Sequence, residues 1–269
     1  LNHWIFMALE YFKERFSAML STPAPGTLFL DFDGVICDSL EECFRSSWLT
    51  AAGVPITAQA PPDPPFDAAY RARFNACRPF IRSGEDYLVV HEWAARGEVP
   101  PSQKAFDGSL DEKGPAQLEQ MKKRLYAARD ALLIHHRSLW LGWNPLYPGM
   151  SVALAAAADN PAVWILSTKK AEFIVEILAH CGVEWPLSRT LYTGTSRKLD
   201  LIDQKVGRAP AVLIDDQIDH LDFSHPSCRC FLARWGYIAP GAADRAAAGL
   251  DLAAATEMIR TFPRPRPAV

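Results

Sequence analysis

The sequence predicts an α/β fold: a mostly parallel sheet flanked by helices, with a mainly α-helical segment inserted after its first strand. Three observations predict it. From about residue 146 onward, short apolar runs such as Ala211-Val-Leu-Ile214 alternate with helical stretches, the pattern that builds parallel sheets with helices on both faces. Residues from about 66 to 144 carry helical patterning only. The polar residues best equipped for chemistry fall where the apolar runs stop, which is where open parallel sheets keep their sites. With 269 residues, 49% of them hydrophobic, the chain can fill one full core and a smaller second one.

Trp4, Ile5, Ala8, Leu9, Phe12, Phe16, Met19 and Leu20 recur at helical spacing, so residues 1–21 read as an amphipathic helix. Glu10, Lys13, Glu14 and Arg15 interrupt its apolar run and no basic region precedes it, so it does not read as a secretory signal. It is expected to pack on the body; a homodimer or membrane-surface contact is the alternative. After the linker Thr22-Pro-Ala-Pro-Gly26, Thr27-Leu-Phe-Leu30 reads as a buried strand. A helix from about Leu40 to Ala52 stops at Gly53, and the prolines between Pro55 and Asp67 leave no room for a regular element. Further helices are expected at Asp67–Ala76, Glu85–Arg96 and Ala116–Leu141. The last starts behind Pro115 and carries Leu118, Met121, Leu125, Ala128, Leu132 and Leu139 along one face. Its Lys122, Lys123, Arg124 and Arg129 read as a solvated face. Beyond Tyr147-Pro-Gly-Met150, helices Ser151–Ala158, Ala171–Cys181, Leu199–Val206 and one near Ala253–Phe262 alternate with strands Ala162–Leu166, Arg189–Tyr192, Ala211–Ile214 and Cys230–Arg234. The expected domains are the N-terminal helix at 1–21, an α/β core from 22–41 and 146–269, and a helical insert at 42–145.

Composition excludes several function classes. A net charge of −3 offers no broad basic footprint, so no nucleic-acid partner is expected. No window approaches the roughly 20 uncharged apolar residues that span a bilayer, so no stable membrane insertion is expected. The six cysteines form no disulfide framework, which suits a reducing cytoplasm. Cys228 and Cys230, near His220 and His225, match no common zinc spacing and read as small apolar strand residues.

Asp31 and Asp33 lie two apart at the end of the first strand, which puts both carboxylates on one side and Phe32 on the other. Crowded carboxylates repel unless a cation intervenes, and oxygen-only ligands favour Mg²⁺. Asp215 and Asp216 add carboxylates at another strand end, Ser167 offers a hydroxyl, and Lys198 a mobile positive charge. Such a set suits phosphoryl transfer, which needs positioning and charge neutralisation. A carboxylate is already ionised at neutral pH and can act as nucleophile without a separate base.

Asp31-Phe-Asp-Gly-Val-Ile-Cys-Asp-Ser39 resembles motif I of the haloacid dehalogenase-like hydrolase superfamily. Trp164-Ile-Leu-Ser-Thr-Lys169 resembles motif II, Lys198 motif III, and Val212-Leu-Ile-Asp-Asp-Gln-Ile-Asp219 motif IV. Tyr147-Pro-Gly before a helix resembles the phosphoglycolate phosphatase-like branch, whose Rossmann-like core carries a helical cap between motifs I and II. The resemblance implies a Mg²⁺-dependent phosphatase acting on a small phosphorylated metabolite. Asp31 would attack phosphorus and Asp33 would serve as acid and then base. Ser167 would hold a phosphoryl oxygen, with Thr168 as the alternative hydroxyl. Lys198 would balance charge; Lys169 is the alternative, expected to be a solvated lysine at a helix start. Metal would sit on Asp31, the Asp33 carbonyl and one motif IV acid, Asp216 ahead of Asp215; Asp219 would orient Lys198. Arg78 or Arg82 in the insert would clamp an anionic group, or else pack structurally. The acid at Asp33 fits phosphatases and phosphomutases, not dehalogenases. A phosphomutase and a non-catalytic binding protein are the competing expectations.

Overall fold

A computed structural model describes residues 26–194 and 196–265. The expected N-terminal helix at 1–21 lies outside the described residues. Six parallel strands form one sheet: β1 (Thr27–Leu30), β2 (Val163–Ser167), β3 (Thr190–Tyr192), β4 (Ala211–Asp215), β5 (Cys228–Ala233) and β6 (Gly249–Leu250), in the order β3-β2-β1-β4-β5-β6. Leu28 pairs with Val163 on one side and Val212 on the other, so β1 lies inside the sheet. Side chains alternate across it. Leu28 and Leu30 enter the core cluster of one face, and Phe29 that of the opposite face.

The helices are α1 (Leu40–Ala51), α2 (Ala68–Cys77), α3 (Asp86–Ala95), α4 (Gln103–Asp111), α5 (Gly114–Gly142), α6 (Met150–Ala157), α7 (Ala171–His180), α8 (Lys198–Val206), α9 (Ala242–Arg245) and α10 (Leu252–Thr261). Residues of α6, α7 and α10 join Leu28 and Leu30 in one core, whereas Leu199 and Ile202 of α8 cover Phe29. The first five helices lie between β1 and β2 in the chain. They enclose a cluster of their own around Phe44, Phe74, Val89, Phe106 and Leu125. Among the described residues no helix is long and apolar enough to cross a membrane.

Two details of α5 depart from expectation. Met121, Leu125 and Leu132 are buried as the spacing requires, but Leu139 is 42% exposed. His136 leaves helical geometry at φ −139°, ψ 43°. The kink rotates the last turn so that Trp140 and Leu141 face inward instead. The second departure is Arg129, which was expected on a solvated face and is 4% exposed. It forms a bidentate pair with the buried Glu42, Nε and Nη2 donating at 2.7 and 2.8 Å.

Candidate active site

Four chain segments meet at the carboxyl ends of β1, β2 and β4 and the start of α8. The Asp31 amide donates to Ile214 O at 3.0 Å, extending the pairing of β1 and β4 by one residue. Gly34 then turns the chain at φ +86°, in a place where a Cβ would collide with Asp216 Oδ2. Phe32 is buried in the core and its amide donates to Asp31 Oδ1 at 2.7 Å.

The charges are arranged in pairs. Lys198 Nζ lies 2.9 Å from Asp31 Oδ1 and donates to Asp215 Oδ2 at 2.6 Å. Asp215 also accepts from the Gln217 amide at 2.9 Å and contacts His220 Nδ1 at 3.1 Å. Asp216 Oδ2 accepts from the Tyr237 amide at 2.7 Å, while its Oδ1 is buried without a hydrogen-bond partner among the described residues. One oxygen from each of Asp31, Asp215 and Asp216 lies within 4.8 Å of the others. Burial raises the Asp31 carboxyl, opposed by Lys198. Burial and the neighbouring Asp215 charge push Asp216 well up. Burial also opposes ionisation of Asp215, but Lys198 and His220 outweigh it and hold its carboxyl well down. A cation therefore fits between Asp31 and Asp216, whose unpartnered oxygen and raised carboxyl both call for positive charge. Asp215 is already saturated by Lys198, Gln217 and His220.

The expectation for Asp219 is corrected: it lines a neighbouring cavity with Lys198 but forms no ion pair with it. Its Oδ2 accepts from Arg82 Nε at 2.7 Å, and Asp215 anchors the lysine. Lys169 is a second correction: it is not solvated but 4% exposed, with Nζ donating to Asp33 Oδ1 at 2.9 Å. Burial pushes the Asp33 carboxyl up, but Lys169 and then Arg78 overcome this and hold it below its ordinary value.

Asp31, Asp33, Arg78, Thr168, Lys169 and His220 all line one cavity of about 40 Å³. Ser167 is buried behind it at the end of β2, its Oγ accepting the Lys169 amide at 3.3 Å. The two candidate arginines differ. Arg82 lines the same cavity, but its donors are engaged by Asp219, Gln103 and the carbonyls of Pro79 and Ile81. Arg78 is 4% exposed and stacks 4.3 Å from the Tyr237 ring centroid, with Nε and Nη1 buried and unpartnered among the described residues. Sequence reading missed His220, Glu42 and Tyr237. His220 carried a signal, five residues after Asp215; Tyr237 carried none.

No protein-family model and no curated protein matches the chain. Solved structures do. One described as a predicted phosphoglycolate phosphatase from Haemophilus somnus 129PT is 18% identical, covers 88% of this chain and 99% of its own, and has a TM-score of 0.55. One described as a predicted phosphatase from Clostridium acetobutylicum is 13% identical over 88% and 99% of the two chains, with a TM-score of 0.51. The chain shares the α/β fold of these solved structures. In this chain, Asp31, Ser167, Lys198 and the Asp215-Asp216 pair follow one another in the order of the four motifs described above. At such identities the likeness speaks for the fold, and the chemistry has to be read from the side chains themselves.

Proposed function

We propose that the protein is a Mg²⁺-dependent phosphomonoesterase that hydrolyses a small, soluble organic phosphate through an aspartyl-phosphate. The observation that carries this reading is the cavity in which the Asp31 carboxylate meets the unpartnered donors of Arg78. A buried guanidinium with two unpartnered donors is costly, and a phosphoryl group would supply the missing acceptors. Lys198 holds Asp31 Oδ1, leaving Oδ2 to attack phosphorus as the bond to the leaving oxygen breaks. Asp33 transfers a proton to that oxygen. Because Lys169 keeps Asp33 ionised at rest, this proton arrives with the substrate, whose phosphate titrates near pH 6. Asp33 then takes a proton from water, whose oxygen attacks phosphorus; this restores Asp31, and the proton passes to the departing inorganic phosphate, which leaves Asp33 ionised again. Asp31, Asp216 and the Asp33 carbonyl would hold Mg²⁺, which would supply charge neutralisation at the phosphoryl oxygens. Thr168 lines the cavity and is the hydroxyl better placed than Ser167 to meet a phosphoryl oxygen.

The test is phosphate release from a panel of phosphate esters, with Mg²⁺ and with chelator, for the wild type and Asp31→Asn. Turnover should require the metal and fall by roughly 10³-fold or more in the variant. Release of inorganic phosphate that survives Asp31→Asn would overturn the nucleophile assignment. Isomerised product without phosphate release would move the protein to the phosphomutases.

A further inference from the structure

Beside the cavity lies a buried group of charges of which only Asp33 takes part directly in the hydrolytic steps. Glu42, fully buried on α1, accepts from Arg129 Nε and Nη2, from Ser46 Oγ at 2.7 Å and from Trp140 Nε1 at 3.0 Å. Its Oε2 also lies 3.8 Å from Lys169 Nζ. Lys169 in turn donates to Asp33 Oδ1 at 2.9 Å and to Asn144 Oδ1 at 3.4 Å. Two acids and two bases thus alternate from Asp33 through Lys169 and Glu42 to Arg129, and the set is neutral. Each ammonium or guanidinium touches a carboxylate, so none of the four can move without stranding another.

We infer, on the phosphatase reading above, that Glu42 is a positioning residue: pinned by Arg129, Ser46 and Trp140, it fixes Lys169 and through it the orientation of Asp33 toward the leaving oxygen. Arg129 and Trp140 both belong to α5, so the inserted helix reaches the proton-transfer residue through two buried links. Arg129 also lines the reaction cavity. A role of this kind is distinguishable from mere structural support. Proton delivery matters for an alkoxide leaving group and hardly at all for a nitrophenolate, which departs as the anion. Loss of Asp33 positioning must therefore penalise one ester more than the other, whereas loss of folded protein penalises both alike.

The experiment compares glycerol 2-phosphate with 4-nitrophenyl phosphate for the wild type, Glu42→Gln, Trp140→Phe and, as reference, Asp33→Asn. Glu42→Gln should lower kcat/KM, which reports the formation of the aspartyl-phosphate and not its hydrolysis, about tenfold more for the alkyl ester than for the aryl ester. Trp140→Phe removes a single donor to Glu42 and should move the same ratio in the same direction by about threefold. If Asp33→Asn shows the ester difference and neither Glu42→Gln nor Trp140→Phe does, the inference falls and the phosphatase reading stands. If Asp33→Asn itself treats the two esters alike, the role given to Asp33 fails and the inference fails with it. A wild type that hydrolyses neither of these esters, nor any other in the panel, sinks both.

Discussion

Asp216 is held by its surroundings more tightly than a solvent-facing carboxylate would be. Its Oδ2 takes the Tyr237 amide, and a Cβ on Gly34 or Gly236 would run into its side chain. Only Oδ1 is left to meet a ligand. Asp215, next to it, has its oxygens occupied by Lys198, Gln217 and His220. The two acids should therefore fail differently. Asp216→Asn should weaken Mg²⁺ binding roughly 100-fold in a calorimetric titration, and Asp215→Asn by less than about tenfold, its larger loss appearing in kcat through the released Lys198. The opposite ranking of affinities would move the metal onto Asp215. Sequence alone left this choice open, because adjacent acids after a strand read alike until their hydrogen bonds are known.

Helix α3 carries the clearest pH signature outside the active site. His91 lies among Phe44, Tyr70 and Phe74, with Ser47 Oγ 2.8 Å from Nε2 and Tyr70 Oη 2.8 Å from Nδ1. Burial lowers it to about 4. A neutral buried histidine contributes its full stability above the ordinary value near 6.5 and loses it as pH falls toward 4. Asp86 on the same helix is pushed up to about 6 by burial, and its contribution has the opposite sign, lost as pH rises toward 6. The test is therefore a difference. Between pH 6.5 and 4, denaturant melts should cost the wild type about 3 kcal/mol more than His91→Gln; parallel pH profiles would refute the assignment. At this scale the strands and most helices were legible in the sequence, because buried parallel strands read as unbroken apolar runs and their ends carried the acids. Arg129 and Lys169 were not. Arg129 finds its carboxylate 87 residues away in the chain and Lys169 finds Asp33 136 residues away. No local pattern marks a basic residue on a helix as buried. The kink at His136 was equally silent, since no proline or glycine announces it.

Besides the packing of Trp48, Leu132 and Trp140 into the sheet's core cluster, polar contacts at the site tie the insert to the sheet. Arg82 pairs with Asp219, Gln217 Nε2 donates to Ile81 O at 2.8 Å, and Arg78 stacks on Tyr237. The Arg82–Asp219 pair is partly exposed, at 28% and 48%, and such pairs contribute no more than about 1 kcal/mol. Asp219→Asn should therefore leave the thermal midpoint within a few degrees and raise KM at most about fivefold; a collapse in stability would show that the contact is structural. The order of the strands has a consequence for how the molecule is made. Leu28 of β1 waits for Val163 and Val212 before it has a neighbour on either side. At ribosomal speeds of about 5–20 residues per second, β1 spends on the order of ten seconds without a sheet to join. Meanwhile the helices after it emerge with an apolar cluster of their own. Biogenesis thus runs in the reverse of reading order: the inserted helices can take shape while the strand that precedes them in the chain still lacks a frame.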